Sequence, residues 1–144
     1  MTADVNARNR TSRERLVAVV AQLEDRDIKI EGGWTAAGLL GHLAFWDGIA
    51  LARLEKHVRE GAPLELQTET IADHINAAAM PQWLDTPTKV AGRRAIAAAT
   101  AVEASVAGLS PEVIDRVKAL GKAFIVDRSA HRKEHLDQIE RALR

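Results

Sequence analysis

The sequence predicts an all-α protein that folds as a four-helix bundle. Alanine is abundant, β-branched residues are thinly spread, and no segment alternates apolar and polar residues for long enough to indicate a sheet. Several segments instead carry apolar residues every three or four positions, which is the spacing of one helical face. The 144 residues fit a single domain, large enough to bury about two-thirds of its unfolded surface without a disulfide or a structural metal.

Charge and composition exclude several classes of function. Twenty basic and twenty acidic side chains cancel, so no net positive field attracts nucleic acid or an anionic membrane, and we expect neither as a partner. Cysteine is absent, so any thiol chemistry would need a thiol from another molecule. Residues 1–10 lack the apolar core of a signal peptide, and no window approaches the ~18 apolar residues of a membrane span. We therefore expect a soluble cytoplasmic protein.

The N-terminal segment is predicted to begin loosely and then to form the first helix. Residues 1–10 are polar and are expected to be a loose lead-in. Thr11 and Glu14 have the spacing of a capping box, in which the threonine covers an exposed amide and the glutamate reaches back. The apolar residues that follow share one face, so helix 1 is predicted over residues 12–24.

The second helix is predicted over residues 36–60. Thr35 is placed to cap its first amides, and Gly61 follows its expected end. His42 shares the apolar face, where an imidazole without a partner would cost about 1–3 kcal/mol, so we expect a partner to meet it. Arg53 is one of the polar positions suited to solvent. The apolar stripe consists of Leu39, Leu43, Trp46, Ile49 or Ala50, and Leu54.

Residues 61–87 are predicted to be a crossover of about 25 residues between helices 2 and 3. Pro63, Pro81 and Pro87 bracket one short apolar segment, which is expected to form a short helix. A connection of this length does not have to return to the neighbouring position, which favours a bundle with a crossover over a simple up-and-down arrangement. Helix 3 is predicted over residues 88–107, an alanine-rich segment that permits close approach of neighbouring backbones.

The C-terminal segment is predicted to contain a further helix start and then helix 4. Ser110 can cap a helix whose first turn contains Pro111. Gly121 is expected to interrupt that segment, which leaves helix 4 over residues 122–143. The inner face of helix 4 is expected to carry Phe124, Arg128, His131, His135, Ile139 and Ala142.

Three histidines are candidates for a metal site. His131 and His135 are four residues apart, so on a helix they project from one face. His42 from an antiparallel neighbour would add a third imidazole and leave room for water or substrate, as in catalytic zinc sites. A histidine pair of this spacing arises by chance in about one chain in six of this composition, so a merely solvated or hydrogen-bonded pair is the alternative. His57 is expected at the surface, and His74 over the mouth of the bundle or in solvent.

Four motifs along the chain form a recognisable set. They are Gly33-Trp34-Thr35, His42-Leu43-Ala44-Phe45-Trp46-Asp47, Asp73-His74-Ile75-Asn76-Ala77 and His131-x-x-x-His135-Leu136-x-x-Ile139. Together they resemble the DinB/YfiT-like superfamily over about residues 11–143. That superfamily includes DNA-damage-inducible DinB-like proteins and the metal-binding domain of mycothiol-dependent maleylpyruvate isomerase. Those isomerases have an additional C-terminal domain that the motifs found here do not cover, so we do not expect that particular substrate.

The resemblance implies a fold, a metal and a class of chemistry. It implies a four-helix bundle of unusual connectivity, a homodimer, and a divalent metal such as zinc or nickel on His42, His131 and His135. Several relatives use the metal in transfer or isomerisation with a low-molecular-weight thiol. Three neutral imidazoles leave the charge of the ion unneutralised, and zinc-bound water can have a pKa near 7. We therefore expect a bound thiol or water to attack a small electrophilic substrate.

Three further residues are candidates for the substrate pocket. They are Trp46, Asn76 and Arg128, of which the arginine could steady an anion. The alternatives are core packing for Trp46, a helix-local hydrogen bond for Asn76 and a salt bridge for Arg128. A different class of function is also open: a non-catalytic bundle that binds a small molecule or serves in a stress response, with the metal incidental or absent. A stoichiometric metal after purification would favour the enzyme.

Overall fold

A computed structural model describes residues 2–144 and, within them, six α-helices and one short antiparallel hairpin. The predicted all-α class is confirmed, apart from the pairing of β1 (Lys29–Ile30) with β2 (Trp34–Thr35). No described helix is long and apolar enough to cross a membrane. The helices are α1 (Thr2–Leu23), α2 (Ala36–Glu60), α3 (Glu69–Asp85), α4 (Thr88–Ala107), α5 (Pro111–Ala119) and α6 (Ser129–Leu143).

Helix α1 begins earlier than predicted. The loose lead-in over residues 1–10 is wrong for the described part, because α1 is already helical at Thr2; Met1 lies outside the described residues. The Thr11 cap is wrong as well, since Thr11 is an exposed residue inside the helix. The physical reason is a tertiary contact: Val5 and Asn9 are fully buried, so the polar-looking N-terminus is anchored against the rest of the chain.

Helix α2 packs against three other helices, and its predicted limits are confirmed. The Thr35 hydroxyl accepts the backbone N–H of Gly38 at 2.9 Å, and Gly61 ends the helix with a positive φ of 67°. Helices α3, α4 and α6 all contact α2, while α1 contacts α4 and α6. Consequently α2 and α6, which carry the three candidate histidines, lie side by side.

The hydrophobic core forms two clusters along α2. The first contains Leu39 and Leu40 with residues of α1, α4 and α6. Small residues on α4 allow the predicted close approach there, and Ala95 is 1% exposed. The second cluster contains Leu54 with α4, α5 and the segment that precedes α6, including Ile125. The side chains between α2 and α6 therefore have a packed cluster of core residues on either side.

Helix α3 is a full helix of 17 residues over Glu69–Asp85, longer than the short segment predicted. Thr68 caps it, and its hydroxyl accepts the backbone N–H of Ile71 at 3.2 Å. Pro81, expected to bound the apolar segment, lies inside the helix. Trp83 is the buried residue of α3, and it fixes the C-terminal end of that helix against α2.

The C-terminal elements agree with the prediction as far as Gly121 and differ after it. Helix α4 has the predicted limits, and Ser110 caps α5 by accepting the backbone N–H of Val113 at 3.3 Å. Gly121 has a positive φ of 72°. The predicted start of helix 4 at residue 122 is wrong, because a 3-10 turn over Ala123–Ile125 precedes α6.

Two residues assigned to the inner face of helix 4 are exposed. Ile125 and Val126 enter the second core cluster, whereas Phe124 is 46% exposed and lines an open cavity that His131 also lines. Ala142 is exposed too. Phe124 was misplaced because the sequence was read as one continuous helix through a segment that turns before α6 begins.

Candidate metal site

An open cavity of about 490 Å³ lies between α2, α3 and α6 and the turn that precedes α6. It is lined by all six residues that the sequence predicted for the metal site and the substrate pocket. They are His42, Trp46, Asn76, Arg128, His131 and His135. Residues far apart in the chain thus meet at a single place, because α2 and α6 are neighbours.

The three candidate ligands converge on one wall of this cavity. The Nε2 atoms of His42 and His131 are 2.9 Å apart. The ring centre of His135 is 4.7 Å from that of His42 and 4.9 Å from that of His131. One ring nitrogen of each residue lies within 4.8 Å of the corresponding nitrogens of the other two.

The electrostatic environment keeps two of these rings neutral. The pKa of His42 is lowered to about 4, chiefly by burial and further by the positive charges of His135 and Arg128, against an opposing contribution from Asn76. Burial also lowers the pKa of His131, with a second contribution from the positive charge of Arg128. Near pH 7 both imidazoles are unprotonated on one nitrogen, which is the form that binds a metal.

Hydrogen bonds fix how the two rings from α6 are oriented. Nδ1–H of His135 donates to Oε1 of Gln138 at 2.7 Å, which leaves Nε2 as the nitrogen with the free lone pair. Nδ1 of His131 accepts from Nη2 of Arg128 at 3.3 Å. The proton of the neutral His131 ring is then on Nε2, in contact with His42. An ion bound through that nitrogen would take the place of this proton.

Aromatic rings hold His42 from the other side. The ring centres of Trp34 and Trp83 are 5.8 Å and 5.4 Å from that of His42, both edge to face. Nδ1 of His42 is buried and has no hydrogen-bond partner among the described residues. The other ring nitrogen, Nε2, is the one that meets His131.

The donor set fits a divalent cation such as zinc. Zinc–nitrogen bonds are about 2.0–2.1 Å long, so two ligand nitrogens of a tetrahedral site are about 3.4 Å apart. The Nε2 atoms of His42 and His131 are 2.9 Å apart and all three ligand nitrogens lie within 4.8 Å of one another, so a modest rotation of the histidine side chains brings them to this spacing. Three imidazoles suit zinc, nickel, copper and iron alike.

A buried ion-pair network lies behind the histidines. Asp47 on α2 accepts from Nε of Arg128 at 2.8 Å and from Nη2 of Arg132 at 3.1 Å, and all three side chains are buried. Nη1 of Arg132 also donates to the backbone oxygen of Asn9 at 3.1 Å and to the hydroxyl of Ser12 at 2.9 Å. The salt-bridge alternative for Arg128 is therefore observed, and the network ties α1, α2 and α6 together.

Trp46 and Asn76 form a polar contact across the cavity wall. Nε1–H of Trp46 on α2 donates to Oδ1 of Asn76 on α3 at 2.7 Å. The helix-local bond considered for Asn76 is therefore not what its oxygen makes, and Trp46 is only half-buried. The other two histidines lie outside the cavity lining: His57 bonds the backbone oxygen of Ala62, and His74 is exposed.

Comparison with models of protein families identifies the family of this chain. A sequence model of the DinB superfamily matches residues 8–140. The chain belongs to the DinB superfamily. The resemblance drawn from the motifs is therefore confirmed, and this superfamily is associated with metals. The comparisons found no match among curated proteins and none among solved structures.

Sequence reasoning missed several residues of this DinB-superfamily site. Asp47 stood in a quoted motif without a role, and Arg132 and Gln138 were not considered. A signal existed for the first two: Asp47 is four residues from the buried Leu43, and Arg132 is four residues from the buried Leu136. Polar residues at core spacing on two neighbouring helices indicate a buried pair. No pattern in the sequence marked Gln138.

Proposed function

We propose that this DinB-superfamily protein is a divalent-metal-dependent enzyme with His42, His131 and His135 as its metal ligands. It acts on a small electrophilic molecule as a thiol-dependent transferase or isomerase, or as a hydrolase. The observation that carries the proposal is the convergence of three imidazoles, two of them with lowered pKa values, on the wall of an open cavity. Such a ligand set leaves coordination positions for a further molecule.

The proposal includes a finer view of the architecture. Helices α1, α2, α4 and α6 are the four helices of a bundle, and residues 61–87, with α3, are its crossover. Support comes from the packing of α2 against α4 and α6 and of α1 against the same two helices. We further propose a homodimer in the cytoplasm, as the family resemblance implies.

The chain's own residues have distinct roles in this proposal. A divalent ion held by the histidines would supply Lewis acidity, lowering the pKa of a bound thiol or water. Trp34 and Trp83 fix the ring of His42, and Gln138 fixes that of His135. Asp47 holds Arg128 against His131, which keeps a positive charge beside the reacting group. Trp46 and Asn76 form the wall against which the substrate lies.

Metal content is the first test. Protein purified without a histidine tag and incubated with zinc or nickel is expected to hold about one ion per chain by elemental analysis, as in other three-ligand sites. His135→Ala is expected to lose most of this metal. The matched control is His74→Ala, because His74 is an exposed histidine outside the cavity lining. A wild-type chain without metal, or a His135→Ala variant with unchanged metal, would overturn the ligand assignment.

Turnover is the second test. A panel of small electrophiles with and without a low-molecular-weight thiol separates thiol-dependent transfer or isomerisation from hydrolysis. We expect chelator to remove the activity and added metal to restore it. The activity should be lost in His135→Ala and kept in His74→Ala. Full activity in His135→Ala would end the proposal of a metal-dependent enzyme.

A further inference from the structure

Arg53 occupies a position that the sequence did not suggest. It was assigned to solvent, yet it is half-buried and lines the cavity that holds the histidines. Its Nη2 donates to Oε1 of Gln67, from the segment that follows α2. Among residues 2–144, no carboxylate lies within 4.0 Å of its guanidinium. A partly buried cation is therefore held at the cavity wall without a counter-charge.

The cavity as a whole is short of negative charge. Arg128, the other arginine of its wall, shares the single carboxylate of Asp47 with Arg132, so that buried group has a net charge of about +1. The cavity lining contains one carboxylate, that of Glu134, and this side chain is exposed. The pKa of Arg53 is lowered by burial and then by the positive charge of Arg128. A neutral chain thus contains a positive cavity.

We propose that the cavity binds a molecule with a carboxylate at the end remote from the histidines, and that Arg53 is the residue that binds this carboxylate. A guanidinium has five N–H donors in a planar fork that matches a carboxylate. Gln67 engages one of the two terminal nitrogens, so donors remain for a ligand. The inference rests on the proposed function in one respect: the end of the ligand beside the histidines is the end that reacts.

The spacing along α2 gives the ligand a shape. His42 and Arg53 are both on α2 and line one cavity; eleven residues of helix correspond to roughly 16 Å along the axis. The wall between them includes the apolar side chains of Ala50, Ala72 and Ile125. The geometry therefore suits an elongated molecule with an apolar middle, and a cavity of about 490 Å³ is in the usual range for small-molecule sites.

Two sources of the carboxylate share this chemistry: the electrophilic substrate and a thiol co-substrate. Two probe pairs distinguish them by isothermal titration calorimetry. The first pair is 6-phenylhexanoate and its neutral amide, and the second is 6-mercaptohexanoate and 6-mercaptohexanol. Each pair is titrated into zinc-loaded and chelator-treated protein. If zinc raises the affinity of 6-mercaptohexanoate but not that of 6-phenylhexanoate, the carboxylate is assigned to the thiol. If the two acids bind with equal affinity to zinc-loaded and chelator-treated protein, the carboxylate is assigned to the substrate.

The variants test the role of Arg53 directly. We expect each acid to bind at least about tenfold more tightly than its neutral partner, as for a charge-assisted hydrogen-bonded pair. Arg53→Gln should remove this preference, and Arg53→Lys, which keeps the charge without the fork, should retain part of it. The matched control is Arg59→Gln, because Arg59 is an exposed arginine on the same helix.

The outcomes separate this inference from the proposed function. An acid preference that is absent in wild type, or unchanged in a folded Arg53→Gln variant, overturns the inference. Since Arg53 does not belong to the histidine cluster, its preference for 6-phenylhexanoate should survive chelator. If the protein binds no metal but keeps this preference, the metal proposal fails and the carboxylate site stands.

Discussion

Asp47 and Arg132 are both buried, and Nη2 of the arginine donates to Oδ2 of the aspartate at 3.1 Å. Asp47 is five residues after His42 on α2, and Arg132 directly follows His131 on α6. The pair therefore joins the two helices next to the point where their histidines meet. Arg128 donates to the other oxygen of the same carboxylate at 2.8 Å.

Loss of the Asp47 carboxylate should be strongly destabilising. Asp47→Ala leaves two buried guanidinium groups without their counter-charge, which typically costs about 3–5 kcal/mol. Urea unfolding with chelator present measures the free energy of unfolding without any effect of bound metal. Asp115→Ala, at an exposed position, should stay within about 0.5 kcal/mol of wild type. A loss below about 1 kcal/mol in Asp47→Ala would show that the network contributes little.

Stability in chelator should fall as the pH is lowered below about 6.5. The unfolded chain takes up protons on His42 and His131 near pH 6.5, while in the folded chain the pKa of His42 is about 4 and that of His131 is lowered as well. At a pH between the unfolded-state and folded-state pKa of a ring, only the unfolded chain binds its proton. The free energy of unfolding therefore falls by about 1.4 kcal/mol for each ring with every unit by which the pH is lowered.

Denaturant unfolding between pH 6.5 and 5 checks this dependence. His42→Gln should reduce the slope by the share of one ring. His74→Gln should leave the slope unchanged, because His74 is exposed. Equal slopes in wild type and His42→Gln would contradict the burial of a neutral His42.

Two glycines of α2 should respond oppositely to alanine. A Cβ at Gly41 would lie 2.9–3.2 Å from Cδ1, Cγ and Cβ of Trp83, whereas one at Gly48 would meet no atom within 4 Å. Gly41→Ala should destabilise by about 1–3 kcal/mol, since overpacking must move a buried indole. Gly48→Ala should stabilise by about 0.5–1 kcal/mol, because alanine is the better helix former. Thermal unfolding of both variants decides, and a stabilised Gly41→Ala would contradict the tight packing.

Bound metal should raise the melting temperature. A ligand that binds only the folded state, at a free concentration 100 times its Kd, adds about 2.7 kcal/mol. For a chain of this size that corresponds to roughly 5–10 °C. Differential scanning calorimetry with zinc and with chelator should show this shift in wild type and in His74→Ala. The same shift in His135→Ala would mean that zinc stabilises the chain from another site.

Elements with strong local signals were predictable from the sequence. Thr35 and Gly61 bound α2 because a hydroxyl cap and a left-handed glycine act within one turn. The convergence of His42 with His131 and His135 followed from their place on apolar faces of neighbouring helices. The limits of α2 depended on residues close in sequence, whereas the histidine site also depended on the assumption that two distant helices are neighbours and on the family resemblance.

The errors have a common cause in contacts between distant residues. Asn9 looks like a polar surface residue, but its side chain donates to the backbone oxygen of Val126 at 2.8 Å and accepts from the backbone N–H of Arg128 at 2.9 Å. These bonds extend α1 towards the N-terminus and hold the turn before α6. Arg53 was placed in solvent because a charged residue is usually exposed. Its cavity depends on Gln67 and α3, whose positions the local pattern does not determine.

The hydrogen bonds of Asn9 to the backbone of Val126 and Arg128 have a practical consequence for shortened forms of the protein. A chain trimmed to the span of the family match would start at residue 8 and would lose Val5, which is fully buried beside Ile125 and Val126. Asn9 would then sit in a fraying first turn and would no longer brace the backbone of Arg128. The N-terminal part of α1, which looks most dispensable in the sequence, thus supports the wall of the histidine cavity.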